Sequence, residues 1–209
     1  KLTDNFWAPK IKINAEVTIP IAFGYCESTG RVKNFEIAGG LAKGDRFLTE
    51  YPFDDSDVYK IIEGTAFSLQ TYPDPELEEY VDSLIYKIGM AQEDDGYLYT
   101  NRTINGEEYI HPWSAGGRWV GTHDLSHELY NMGHLYEAAV AYYQATGKRE
   151  LLDVAIKSAD LVDQDFGWDK VDLYKNYPGH QVIEMGLVKL YQVTGEKRYL
   201  NLSKFFLDV

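Results

Sequence analysis

Gly133-His134-Leu135-Tyr136-Glu137-Ala138-Ala139-Val140-Ala141 runs on through Tyr143-Gln144-Ala145-Thr146-Gly147 to Leu151-Leu152, and the same order returns as Gly179-His180, Glu184, Tyr191-Gln192-Val193-Thr194-Gly195 and Leu200. His134 and His180 are 46 residues apart, and Gly147 and Gly195 are 48 apart. That is the length of a helical hairpin and marks an internal repeat. In each copy apolar residues recur every three or four positions, as on a helix with one buried face, and a Gly stands where a left-handed residue can close it. A weaker third copy lies upstream, with Glu63 ahead of Tyr72-Pro73-Asp74-Pro75 and Leu77. One hairpin cannot bury its apolar face alone, so repeated hairpins stack on each other.

A period close to 3.6 is legible from Asp55 onward. Val58, Ile61, Ile62, Thr65, Ala66 and Leu69 share a helical face that ends before Tyr72-Pro73. Asp74 then serves as N-cap with Pro75 in the first turn, where a missing N–H costs nothing. Leu77, Val81, Leu84, Ile85 and Ile88 carry that helix to Gly89 or a little beyond. Further helices are expected over about 125–145, 150–164, 180–193 and from 197 on, the last with neither cap nor Gly or Pro stop before Val209. That ending reads as a truncation within a larger domain. Between Glu93 and about Asp124 lies a long aperiodic connector of the kind that lines sites. Within it, only 96–100 and 108–113 alternate as strands do.

The expected fold class is all-α. Three hairpins make about half of a six-hairpin (α/α)6 barrel, or a segment of an open solenoid. Polar residues at the starts of alternate helices, namely Asp55 and Asp57, His127 and Glu128, and His180, would converge on one mouth of a ring, or line the groove of a solenoid.

Twenty Lys and Arg against 33 Asp and Glu give a formal charge of −13, so nucleic acid and anionic membrane surfaces are repelled on average. Hydrophobic residues at 44% and charged residues at 25% are those of a folding domain, and no apolar run reaches bilayer length. Cys26, the single cysteine, excludes a disulfide or a multi-cysteine zinc site within the chain, and suits a small buried apolar position. The 17 Tyr, 9 Phe and 4 Trp often stand beside Asp, His or Gly, where amphipathic rings can line a polar cleft as well as fill a core. Phosphate-loop, dinucleotide-binding and Gly-x-Ser-x-Gly patterns are missing.

His123 and His127, four apart, would pair as metal ligands if the helix began early enough; a zincin would need a further His where Asn131 stands. His127, at a helix start, is suited to donate to a sugar hydroxyl or carboxylate, against a capping or core role, whereas His134 reads as a core histidine. Asp54, Asp55 and Asp57 fit a helix N-terminus better than catalysis. Glu93, Asp94 and Asp95 offer paired carboxylates for glycosidic cleavage or a solvated turn. Glu63, Glu137 and Glu184 could act as acids of raised pKa, but their recurrence favours a structural job, such as accepting bonds from a neighbouring helix start.

Taken in series, Asp55-Ser56-Asp57-Val58-Tyr59-Lys60, Tyr72-Pro73-Asp74-Pro75-Glu76-Leu77, Ala91-Gln92 with Asp95-Gly96-Tyr97-Leu98, Ser126-His127-Glu128-Leu129-Tyr130, Gly133-His134-Leu135 with Glu137-Ala138-Ala139-Val140-Ala141, and Gly179-His180 with Glu184 resemble the beta-L-arabinofuranosidase family, glycoside hydrolase family 127. The order holds over about residues 5–209, with a poor match around Cys26–Gly40. The resemblance implies that 1–209 is the N-terminal portion of one (α/α)6 catalytic domain, followed by β-sandwich domains. It implies retaining hydrolysis of terminal β-L-arabinofuranosyl groups from plant-type glycans. It also implies a cysteine thiolate nucleophile held with further cysteines and a glutamate around zinc, all beyond position 209; Cys26 does not match that motif. On this reading the parent protein contains zinc, this chain binds none, and the 209 residues alone are expected to be inactive. His127 and His180 look like the family's sugar-contacting histidines, since an imidazole can donate from one nitrogen and accept on the other.

The competing readings are a non-catalytic carbohydrate-binding helical-repeat module and another toroid enzyme, a polysaccharide lyase or sugar epimerase. The expected partner is an oligosaccharide or glycan, with a homodimer as a further candidate. The compartment stays open between bacterial cytoplasm and a periplasmic or secreted setting.

Overall fold

Asp74 shows how local rules set the helix ends: its Oδ1 accepts from the backbone N–H of Glu76 and Leu77, both at 3.1 Å, and Pro75 follows as the first helical residue. In a computed structural model of the chain, which describes residues 2–106, 111–114, 116–170 and 177–209, every regular element among the described residues is helical. They are α1 (Trp7–Ile13), α2 (Ile19–Ser28), joined to it by a π-turn over Asn14–Thr18, α3 (Arg31–Ala38), α4 (Asp55–Thr71), α5 (Pro75–Ala91), α6 (Thr100–Asn105), a 3₁₀ turn at Pro112–Ser114, α7 (Glu128–Thr146), α8 (Glu150–Asp165), α9 (Ile183–Thr194) and α10 (Lys197–Asp208). The strand expected at 96–100 does not form. Tyr97, Leu98 and Tyr99 are fully buried and unpaired by any sheet, and Thr100 already begins α6. Of the second expected strand, 108–110 lie outside the described residues, and 112–114 form the 3₁₀ turn.

Helices α4, α7 and α9 pack side by side as one layer, with α5, α8 and α10 as a second layer behind them. The central helix α7 is buried on nearly all sides, from Leu129 through Leu135 and Ala138 to Tyr142, as expected of a helix enclosed by neighbours. Its tight seam with α9 depends on glycine. A Cβ on Gly133 would lie 2.6 Å from the Ile183 nitrogen, and one on Gly186 would lie 2.8 Å from the Gly133 carbonyl.

The C-terminal half of the sequence repeat is a true structural repeat. Thr146 and Thr194 each donate to the carbonyl four residues back, at 2.8 and 2.7 Å, then accept from the backbone two residues on, both at 3.2 Å. Gly147 and Gly195 close the helices at φ 77° and 76°. The histidine half is not equivalent: His134 sits inside α7, whereas His180 precedes α9 by three residues. Lys189 of α9 explains two of the recurrent glutamates, reaching Glu63 Oε1 at 3.1 Å and Glu137 Oε1 at 2.5 Å and tying three helices of the inner layer together. Those glutamates meet a lysine rather than a helix start.

Candidate functional site

The inner helices begin close to one another, and two histidines meet there. The rings of His127 and His180 are 4.4 Å apart between centroids, with Phe53 4.6 Å from His127 and Tyr130 5.7 and 5.6 Å from the two imidazoles. His134 continues the wall, its ring 4.5 Å from that of Tyr130, over which Lys60 Nζ stands at 4.9 Å.

His127 is held in the left-handed region, φ 54° and ψ 29°, which a residue with a Cβ enters at a cost of about 1–2 kcal/mol. The cause lies on either side of it. The Ser126 carbonyl accepts from the Tyr99 hydroxyl at 2.6 Å. The buried Glu128 carboxylate accepts from Tyr97 Oη at 2.5 Å, Ser126 Oγ at 2.9 Å and the Trp119 backbone N–H at 3.2 Å, and faces Arg102 Nε at 3.8 Å. With both neighbours anchored, the backbone between them must turn through the left-handed region. Helix α7 therefore starts at Glu128, later than the periodicity suggests, and His123 and His127 do not share a helical face; the His123 ring lies 6.1 Å from Tyr177 instead. Nor does His127 cap α7, for its side chain makes no capping bond.

His180 is delivered by Gly179, whose N–H donates to the Thr122 carbonyl at 2.8 Å; a Cβ there would meet the Asp124 carbonyl at 2.8 Å. Here too the helix begins later than periodicity implies, at Ile183. His127 is 6% exposed, and its Nδ1 is buried without a hydrogen-bond partner, as is that of His134. Burial lowers the pKa of His127 to about 4, helped by the neighbouring His180. Burial lowers that of His134 to about 4 as well, helped by Lys60. Both imidazoles are therefore neutral at pH 7, each with one donating and one accepting nitrogen.

These values set a pH dependence of stability. Between pH 6.5 and 4 the unfolded chain binds protons at both histidines while the folded chain does not, so their contribution, full above pH 6.5, is lost as pH falls. Asp55, raised to about 7 by burial despite bonds from Thr100, acts in the opposite sense over the same window. Asp54, Glu137 and Glu184, whose pKa values burial also raises, act in that sense too, so the histidine contribution is read by comparing variants rather than from the net profile. Relative to wild type, His134→Gln, with no imidazole to titrate, should lose less stability between pH 6.5 and 4 in urea unfolding; an unchanged profile would contradict the assignment.

The other sequence candidates are turned to structural work. Asp55 accepts from Thr100 N at 2.8 Å and Thr100 Oγ1 at 2.5 Å, and Asp57 accepts from Arg31 Nε at 2.7 Å, which also approaches Asp54. Among the polar helix starts His127 and His180 meet, while Asp55 and Asp57 are bonded to Thr100 and Arg31. Glu93 and Asp95 are both taken by Arg118, and Glu93 also accepts from Thr103. Cys26 is buried, which pushes its thiol up to about 11. Glu184 is buried with Oε2 unpartnered and its pKa raised by burial.

Phe53 and Trp113 are not singled out by the sequence, and Tyr130 enters only within the Ser126–Tyr130 block, with no role of its own. Tyr130 could have been given one, since it lies three residues after His127. Phe53 and Trp113 belong to separate connectors with no shared period. The Trp113 rings stack with Tyr51 at 5.8 Å and Phe53 at 6.4 Å, within 20° and 7° of parallel. Arg102 holds this loop by donating to the carbonyls of Ser114 and Gly116 at 2.8 Å and of Gly117 at 3.2 Å.

The family profile of the beta-L-arabinofuranosidase GH127 catalytic domain matches residues 1–209. The chain is 43% identical over 178 residues to the non-reducing end beta-L-arabinofuranosidase of Bifidobacterium longum subsp. longum, covering 85% of this chain and 26% of that protein. The GH127 beta-arabinofuranosidase BT3674 superposes with a TM-score of 0.91 at 52% identity. The GH127 beta-L-arabinofuranosidase Ara127N-Se from Geobacillus stearothermophilus T6 superposes with a TM-score of 0.90 at 42% identity. Both superpositions cover 100% of this chain and 32% of the relative, so the chain spans about a third of these structures and about a quarter of the curated relative. With sequence and helical layers in agreement, the chain belongs to the GH127 beta-L-arabinofuranosidase family and forms part of its helical (α/α) toroid domain.

Proposed function

We propose that this chain is the N-terminal part of the (α/α)6 catalytic domain of a retaining glycosidase that releases terminal β-L-arabinofuranosyl groups from plant-type glycans, and that His127 and His180 bind the sugar to be released. One observation carries the reading: two imidazoles 4.4 Å apart, one of them strained into the left-handed region with a buried, unpartnered Nδ1. A buried polar atom without a partner is costly, and strain of this kind persists where the surroundings over-determine it. A furanose hydroxyl can donate to or accept from a neutral imidazole, so a bound sugar relieves the first cost.

Bond cleavage is assigned to residues outside this chain. The zinc and thiolate of the family resemblance do not fit the residues here: Cys26 is buried with a raised pKa, and no group of three His, Cys, Asp or Glu among the described residues is placed to hold a metal. What the chain contributes is orientation. His127 and His180 grip the hydroxyls, while Phe53 and Tyr130 exclude water from the same face.

The test is a crystal structure of the full-length protein with L-arabinose. A sugar hydroxyl within about 3.2 Å of an imidazole nitrogen of His127 or His180 is expected; a sugar bound with both imidazoles untouched would end the reading.

A further inference from the structure

We propose that Tyr51, Phe53 and Trp113 form a stacking platform for the sugar ring on the leaving-group side of the scissile bond; this rests on the reading of His127 and His180 as contacts of the released sugar. The three rings lie within 20° of parallel, with centroid separations of 5.6, 5.8 and 6.4 Å. Tyr51 and Trp113 are 39% and 38% exposed, which leaves apolar ring surface open to a ligand.

The arrangement is built rather than incidental. Trp113 comes from a different connector, and the buried Arg102 uses three bonds to backbone carbonyls to hold that connector, assisted by Ser114 Oγ on Asn101 at 3.1 Å. The Trp113 backbone N–H donates to His111 Nδ1 at 3.2 Å, and the His111 ring stands edge-on to the indole at 5.2 Å.

Continuity with the histidine pair selects the occupant. The Phe53 ring is 4.6 Å from His127, so the platform begins where the first sugar ends and extends outward through Trp113. Sugar rings carry apolar C–H faces with hydroxyls around the edge. Such a ring covers an aromatic face while its hydroxyls stay in water or meet the Tyr51 hydroxyl.

The test compares two substrates of the full-length enzyme: a β-L-arabinofuranosyl disaccharide and methyl β-L-arabinofuranoside, which has no second ring. In Trp113→Ala and in Tyr51→Ala the ratio of kcat/KM for the disaccharide over the methyl glycoside should fall about tenfold, chiefly through KM, and Trp113→Phe should recover most of it. The ratio is internal to each variant, so partial loss of folded protein does not affect it. A ratio within twofold of wild type in both alanine variants overturns the platform, whether the rings only pack together or are covered by another part of the polypeptide. If the wild-type enzyme cleaves neither substrate, the arabinofuranosidase reading itself fails; if it cleaves both and the ratio stays put, only the platform does.

Discussion

Replacing His127 by glycine in the full-length enzyme is expected to lower kcat/KM toward a β-L-arabinofuranoside by about a hundredfold, or about 2.7 kcal/mol. Glycine adopts the left-handed conformation at φ 54° without strain, so the backbone course survives and the loss reports the imidazole. Removing it leaves a sugar hydroxyl without its partner and removes the ring packed on Phe53 and His180. Asparagine is the informative companion: it tolerates the left-handed region and carries a polar atom near the position of Nδ1. His127→Asn should therefore recover about a factor of ten relative to glycine. His180 is more exposed, and His180→Ala should lose less. The double variant should fall short of the product of the two losses, because both rings serve one sugar. Steady-state kinetics decide the matter, and a glycine variant within threefold of wild type would remove His127 from the site.

Glu128→Ala is expected to destabilise the protein by about 3–5 kcal/mol. Its carboxylate is 1% exposed and is the common acceptor for Tyr97, Ser126 and the Trp119 backbone, with Arg102, 6% exposed, as counter-charge. Deleting it leaves the buried Arg102 without its counter-charge and the Tyr97 and Ser126 hydroxyls without this acceptor, which costs far more than the pairing was worth. Glu128→Gln preserves shape and an acceptor for the neutral donors but not the charge facing Arg102, so it should lie between wild type and alanine. Scanning calorimetry on the parent protein measures both. Because Glu128 adjoins His127, the alanine variant should also lose sugar binding at temperatures where the helices remain folded. An unfolding free energy within 1 kcal/mol of wild type would show that the network does not hold the loop.

The hairpins were readable because their signals are local. Asp74-Pro75 at a helix start, Thr-Gly at 146–147 and 194–195, and apolar spacing from Val58 to Leu69 act within a few residues of themselves. Helices α1 to α3 escaped the same reading: α1 buries no residue at all, and α2 buries only Ile19, Phe23 and Cys26, so no contrasting face marks them. The partners of the carboxylates were not legible for a related reason. Whether Asp55 or Glu93 is free for chemistry depends on Thr100 and Arg118, which lie too far along the chain for spacing to reveal.

Helix type and hairpin length follow from short-range pattern, since backbone hydrogen bonds and capping connect near neighbours. The meeting of His127 with His180 does not. It needs the anchoring of Ser126 and Glu128 by Tyr99, Tyr97 and Arg102, the close approach of Gly179 to residues 122–124, and the glycine seam between α7 and α9. Each of these is a contact across many residues of chain, whose geometry exists only once the helices have packed.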